Sequence, residues 1–206
     1  MIYSTKRSFF CNAKYSFVEW LKKYKILIII SLIILLIGVL TGILTAIKLN
    51  NLDADIELSD FSMYSIIDSS IYKFSHIFIR LISVVIFSLL LLLCSIKPFL
   101  IPFGLFVLAY RAYLLALNCV FIIINIGFGG YLFLFLIIIP CQLLILSLLV
   151  LFYCYLLDIF AEKKKFGCCQ KGKVKSIWWF FAIFIIICLL ESLLLFIFRP
   201  TTMFII

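Results

Sequence analysis

Two charged residues, Arg111 and Glu191, stand inside long apolar stretches of the sequence. Ionisable side chains are costly in hydrocarbon, so inside a membrane helix they mark an ion pair, a transport or proton pathway, or a side chain that snorkels to the surface. At a rise of about 1.5 Å per residue, both residues lie roughly 20 Å from the inner ends of their predicted helices. We therefore predict that Arg111 and Glu191 form an intramembrane ion pair, and we keep a transport pathway and separate snorkelling as alternatives.

Four further residues have types and spacing that suit helix packing inside a membrane. Gly38 and Gly42 form a G-x-x-x-G motif, which lets the backbone of another helix approach closely. Pro140 is expected to kink its helix, because it lacks a backbone N–H and its ring crowds the preceding turn. Gln142 follows closely and can hydrogen-bond across helices or to backbone groups that the kink frees. We predict packing or kink-related roles for all four residues.

Recognisable catalytic motifs are absent from the sequence. It contains no H-E-x-x-H, G-x-S-x-G, P-loop or G-x-G-x-x-G pattern. The single histidine, His76, is a poor basis for a metal site, and the eight cysteines include no C-x-x-C pair. We predict a protein that is not an enzyme and that has no cofactor, no metal site and no disulfide framework.

The composition indicates that lipid surrounds most of the chain. Hydrophobic residues make up 67% of the 206 residues and charged residues 13%, whereas soluble domains are about 45–50% apolar and about 25% charged. Two uncharged runs, residues 26–47 and 112–157, exceed the about 20 residues that a spanning helix needs. Because lipid offers no partner to backbone polar groups, such runs must be helical. The predicted fold is an all-α transmembrane helix bundle.

The apolar runs divide into five predicted spans. They form a single membrane domain, residues 26–206, which follows a basic cytoplasmic segment, residues 1–25. The spans cover about residues 26–47, 79–96, 99–124, 131–157 and 177–198. The third and fourth are joined by an outer turn rich in glycine, at Gly127, Gly129 and Gly130. A variant in which residues 98–110 form a separate re-entrant piece gives six segments.

The distribution of charge predicts the orientation of these spans. The net charge is +9, and lysine and arginine cluster before the first span and between the fourth and fifth spans. The segment between the first two spans, counted over residues 49–79, holds five acidic residues and one lysine. Since basic loops stay in the cytoplasm, the N-terminus is predicted to lie inside and the C-terminus outside. The positions of the basic residues are thus explained by the orientation of the spans in the membrane, and we expect no binding to nucleic acid.

The outer segment between the first two spans, residues 49–78, has an amphipathic pattern. Large apolar residues recur there at helical spacing, at Leu58, Phe61, Tyr64, Ile67, Ile71 and Phe74. This pattern predicts a helix that lies on the outer leaflet, or a contact surface for an extracytoplasmic partner. The two interpretations are compatible.

The order of these features resembles the stage II sporulation protein M family. The residues that carry the resemblance are Gly38, Gly42, Pro102, Arg111, Gly127, Pro140, Gln142 and Glu191. It extends from residue 30 to the end of the chain and rests on order and spacing. The family usually has glycine after the basic residue, where this chain has Ala112, and Gln-Asn after the proline, where it has Cys141 and Gln142. Because of these departures, the resemblance extends to close relatives of the family as well as to the family itself.

The resemblance implies a non-enzymatic scaffold in the bacterial cytoplasmic membrane. Its expected partners are the lipid bilayer and membrane-anchored cell-wall hydrolases, which it would anchor and localise for septal wall remodelling and engulfment during sporulation. A homo-oligomer remains open. The alternative is a permease or channel subunit, although the predicted spans offer few polar residues for a solute route.

Overall fold

A computed structural model describes residues 19–51, 75–126, 131, 134–166 and 171–202. All of these residues except Tyr24, Ile96 and Lys97 are helical, and none of them lies in a strand. The predicted all-α fold is therefore confirmed for the described part of the chain.

The described residues form five long helices. These are α1 (Lys25–Asn51), α2 (Ser75–Ser95), α3 (Ile101–Ile126), α4 (Ile139–Phe166) and α5 (Lys171–Thr202). A helical turn at residues 19–23 precedes α1, the 3-10 turn Pro98–Leu100 leads into α3, and the π-helix Leu134–Ile138 leads into α4. Each predicted span overlaps one long helix. The predicted amphipathic face (Leu58, Phe61, Tyr64, Ile67, Ile71, Phe74) and turn glycines (Gly127, Gly129, Gly130) lie outside the described residues.

Four helical segments are long and apolar enough to cross a membrane. They are Lys25–Leu49, Pro98–Ile124, Ile139–Ala161 and Ser176–Leu194, judged by length and composition among the described residues. The continuous apolar part of α2, Leu81–Ser95, is shorter. These helices support the prediction of a membrane protein, because an apolar helix of about 20 residues matches the hydrocarbon thickness of a bilayer.

Helix α4 lies at the centre of the packing and contacts all four other long helices. Its fully buried side chains include Ile145, Leu149 and Tyr153. The outward surfaces of α1 and α5 consist of large apolar side chains such as Leu44 and Ile186, which are more than half exposed. An apolar surface of this extent is unfavourable in water and suits contact with lipid.

Glycines allow α1 and α3 to pack closely. A Cβ atom on Gly38 would overlap the carbonyl oxygen of Ala109, and one on Gly42 would overlap the carbonyl oxygen of Tyr113. Both positions therefore bring backbone close to backbone, as the G-x-x-x-G spacing suggests. Among the described residues, α1 and α3 form the most extensive contact between any two helices.

A buried tyrosine joins the start of α3 to α4. The Tyr153 hydroxyl donates a hydrogen bond to the Ile101 carbonyl oxygen at 2.8 Å. Gly104, one turn further along α3, packs against the Tyr153 ring, and a Cβ there would collide with it. This contact places the beginning of α3 beside the second half of α4.

Aromatic rings join α4 to the first half of α5. The Phe152 ring packs against Phe180 and Phe184, with centroid distances of 5.3 and 6.2 Å. Tyr155 lies 5.5 Å from Phe180. Because later residues of α4 meet earlier residues of α5, the two helices run antiparallel.

Candidate functional site

A chain of polar side chains crosses the bundle from α2 to α5. Arg111 donates from Nη1 to Ser83 Oγ at 3.1 Å and from Nη2 to Gln142 Oε1 at 3.3 Å. Gln142 donates from Nε2 to the two carboxylate oxygens of Glu191, at 3.0 and 3.1 Å. The four side chains come from four different helices, and we call this group the polar network.

The polar network lies deep in the bundle. Arg111 is ten residues beyond Ile101 in α3, and Gln142 is eleven residues before Tyr153 in α4. Since Tyr153 bonds to Ile101, both network residues lie about 15 Å from that contact along nearly antiparallel helices. Equal depth on neighbouring helices is what allows the side chains to meet.

Burial makes the hydrogen bonds of the polar network important. Glu191 is fully buried and Gln142 is 3% exposed, while Arg111 is half-buried. A buried charge without polar partners is strongly unfavourable. The Gln142 amide suits its position between opposite charges, because its oxygen accepts from the cation and its nitrogen donates to the anion.

An aromatic ring completes the surroundings of Arg111. The guanidinium carbon of Arg111 lies 5.2 Å from the centroid of the Phe87 ring, within the range of a cation–π interaction. Phe87 belongs to α2, as Ser83 does one turn earlier. Helix α2 therefore contributes one polar and one aromatic contact to the same cation.

The polar network contains three of the residues singled out from the sequence. Arg111, Gln142 and Glu191 come together, with Gln142 bonded to both charged residues. The direct Arg111–Glu191 ion pair stays a prediction. The predicted role of Gln142 in bonding across helices corresponds to the contacts that the structure describes.

The remaining predicted packing residues lie away from the polar network. Gly38 and Gly42 lie at the α1–α3 contact. Pro140 is exposed near the start of α4, directly after the π-helix Leu134–Ile138. Proline removes an N–H and crowds the preceding turn, and the wider π turn relieves that crowding. The irregular turn thus ends four residues before Gln142.

A second polar cluster, at the other end of α4, was not predicted from the sequence. Asp158 Oδ1 accepts from Lys23 Nζ at 2.6 Å and from the Tyr24 hydroxyl at 2.6 Å. Asp158 is 4% exposed, whereas the Lys23 side chain is 59% exposed. Backbone hydrogen bonds from Tyr24 to Trp20 and from Ile28 to Tyr24 hold this region in line with α1.

The Asp158 cluster shifts the titration of its two donors. The hydrogen bond to Asp158 raises the pKa of Lys23 above its ordinary value. Burial, followed by the hydrogen bond to Asp158, raises the pKa of Tyr24 to about 12. Each group therefore keeps its proton to a higher pH in the folded protein than in an unfolded chain.

One sequence signal pointed to the Asp158 cluster. Asp158 is the only acidic residue between Asp68 and Glu162, and it directly follows a long apolar run. It lies just beyond the fourth predicted span, residues 131–157. Its partners on α1 are far away in the sequence, so only the folded chain identifies them.

Comparisons with known proteins found no similar protein. Neither a family model, nor a curated protein, nor a solved structure matches this chain. Among the described residues, no three histidine, cysteine, aspartate or glutamate side chains are grouped as a metal site requires.

Proposed function

We propose that this chain is a non-enzymatic membrane scaffold that anchors and localises membrane-bound cell-wall hydrolases. The class of function comes from the resemblance to stage II sporulation protein M, which implies septal wall remodelling and engulfment during sporulation. The observation that carries the proposal is the polar network. Its charged and polar groups bind one another across four helices, so they stabilise one arrangement of the bundle.

A scaffold needs a bundle that keeps its shape while partners bind to its surface. A buried network that joins Arg111, Gln142 and Glu191 favours a single arrangement, because separating α3, α4 or α5 from the others breaks hydrogen bonds in a low-dielectric interior. A solute pathway needs polar groups along its length, and the core along α4 is dominated by leucine, isoleucine and aromatic side chains. This balance supports the scaffold over the permease subunit.

The proposal includes a topology of five spans, with the N-terminus in the cytoplasm and the C-terminus outside. Helix α2, Ser75–Ser95, has 21 residues, which corresponds to about 30 Å and to the thickness of the hydrocarbon core. Counting α2 as a span makes the spans alternate in direction, so that the lysine-rich stretch from Lys163 to Lys175 is cytoplasmic. By the resemblance to the family, the membrane is the cytoplasmic membrane of a bacterium.

Co-purification from native membranes tests the scaffold. The tagged chain is extracted in mild detergent, and the bound fraction is assayed for peptidoglycan hydrolysis in gels that contain cell-wall material. We expect a hydrolase band that is missing when an unrelated tagged multi-pass protein is purified in the same way. Recovery of a cytoplasmic ATPase without a hydrolase would instead support the permease subunit.

Replacement of the outer segment makes this test specific. In one variant, residues 52–74 are exchanged for a glycine and serine linker of equal length, which removes the predicted contact surface and keeps the spans. We expect the variant to reach the membrane at normal levels and to lose the hydrolase. Retention of the hydrolase by this variant would contradict the proposed role of the outer segment.

A further inference from the structure

Contacts at one end of the bundle bring together basic stretches that are far apart in the sequence. The bond from Lys23 to Asp158 places the start of α1 beside the last turns of α4. Lys22 and Lys25 flank this contact and are exposed. After Asp158, α4 continues as a helix to Phe166, through three consecutive lysines.

Two further helix ends lie at the same end of the bundle. The Tyr153–Ile101 hydrogen bond places the start of α3 there, together with the exposed Lys97 in the connection from α2. The ring contact between Tyr155 and Phe180 places the start of α5 there. The first turns of α5 also carry alternating lysines.

We call this region the lysine end. Its lysines, in chain order, are Lys22, Lys23, Lys25, Lys97, Lys163, Lys164, Lys165, Lys171, Lys173 and Lys175. The acidic residues among the described residues at this end are Glu19, Asp158 and Glu162, and Asp158 is already bonded to Lys23 and Tyr24. The opposite end of the described bundle has Lys48, Arg80 and Arg199. Positive charge is therefore concentrated at one end.

Two tryptophans indicate the depth of the lysine end. Trp178 and Trp179, in the third turn of α5, are 73% and 68% exposed. Exposed tryptophan at the end of a membrane helix lies at the level of the lipid headgroups. The lysines of the first turns of α5 are consequently at or just above the headgroup phosphates.

We propose that the lysine end is a binding surface for anionic phospholipids, which gather around the bundle in preference to zwitterionic lipids. The lysines bring positive charge to the depth at which the negatively charged headgroups lie. Clustered lysines beside a membrane helix attract acidic headgroups, and this attraction acts within about a Debye length of the surface. This inference goes beyond the scaffold role, since it requires only that the lysine end lies at a membrane surface.

The tryptophans also serve as probes for the test. The chain has three tryptophans, so Trp20→Phe leaves only Trp178 and Trp179 as emitters. The full chain with this substitution is placed in phosphatidylcholine vesicles that contain a minor fraction of brominated phosphatidylglycerol, or the same fraction of brominated phosphatidylcholine. Bromine quenches tryptophan on contact, and we expect the anionic lipid to quench several-fold more than its share of the bilayer predicts.

Matched substitutions connect the effect to the lysine end. Lys171→Gln, Lys173→Gln and Lys175→Gln together should remove most of the several-fold preference for the anionic lipid. Lys48→Gln with Arg199→Gln, at the opposite end, should leave it unchanged. Equal quenching by the two brominated lipids, or an unchanged preference in the triple variant, overturns the proposal.

A soluble anion distinguishes a lipid headgroup from free phosphate. Inorganic phosphate is added to the vesicles, and sodium chloride of equal ionic strength is added to a parallel sample. We expect the two salts to weaken the preference equally, by screening. A much larger loss with phosphate would mean that the lysine end binds the free anion, and would overturn the assignment to lipid.

Discussion

At the scale of single residues, Gln142 connects two charges of opposite sign inside the bundle. Its amide accepts from Arg111 and donates to Glu191, so Gln142→Leu removes both bonds and leaves buried polar groups short of partners. We expect a loss of about 1–3 kcal/mol in stability, seen as a lower midpoint of thermal unfolding in detergent. Leu144→Met is the control, because Leu144 is exposed on the same helix and the change keeps volume. Equal midpoints for both variants would contradict this role.

Exchanging the two charges tests whether they act together. Arg111→Glu or Glu191→Arg alone puts two like charges on either side of Gln142. The double exchange restores opposite charges, and rotation of the Gln142 amide exchanges its donor and acceptor ends. We expect the double variant to accumulate in membranes above both single variants, as measured by immunoblot. If it accumulates no better than the single variants, the two charges are not coupled.

The Asp158 cluster predicts a dependence of stability on alkaline pH. Tyr24 has a pKa raised to about 12, so its contribution is complete below about pH 10, the ordinary tyrosine value, and is lost as the pH rises toward 12. Lys23, whose pKa is also raised, acts in the same direction. We expect Tyr24→Phe to flatten the fall in unfolding midpoint over this range. Tyr131→Phe, at an exposed tyrosine, should follow the unmodified chain.

Part of the polar network could be predicted by counting residues along the predicted spans. The matching depth of Arg111 and Glu191 follows from the helical rise and the span boundaries, and both residues bond to Gln142 in the structure. The contribution of Ser83 depends on which face of α2 meets α3, and a serine in an apolar run carries no such information. The partners of Asp158 depend on contacts between distant parts of the chain, which periodicity does not report.

At the scale of helices, the closest approach is between α1 and α3. Gly38→Ala would place a methyl group against the Ala109 carbonyl, so the helices must separate. We expect a loss of about 1–3 kcal/mol, measured by unfolding in increasing concentrations of sodium dodecyl sulfate. Leu40→Met, at an exposed position on the same helix, serves as the control. An unchanged unfolding curve for Gly38→Ala would show that the contact adapts without cost.

The helix positions could be predicted from hydrophobicity, but their ends could not. Helix α1 continues through Lys48 to Asn51, and α5 begins at Lys171, ahead of the predicted span. A helix satisfies its own backbone in water as well as in lipid, so it need not end where the apolar residues end. The π-helix before Pro140 was also not predicted, since proline signals an irregular turn without specifying its form.

At the scale of the whole molecule, the proposed topology makes the loop between α4 and α5 cytoplasmic. Cys168 and Cys169 lie in that loop. We expect a maleimide that does not cross membranes to leave them unlabelled in intact cells and to label them once the cells are opened. Comparison with Cys168→Ser and Cys169→Ser isolates their signal from the other cysteines. Gly129→Cys, in the proposed outer turn, should be labelled in intact cells, and the reverse pattern would invert the topology.

The central position of α4 has a consequence for biosynthesis. A ribosome makes the chain from the N-terminus, so α1 to α3 enter the bilayer before the helix that contacts all of them exists. In the proposed topology, Arg111 is then inside or near hydrocarbon while Gln142 and Glu191 have not yet reached the bilayer, and an arginine there is costly. The newly made three-helix intermediate would thus carry an arginine without its buried partners, and insertion machinery that shelters Arg111 until α4 and α5 are inserted would raise the yield of the protein.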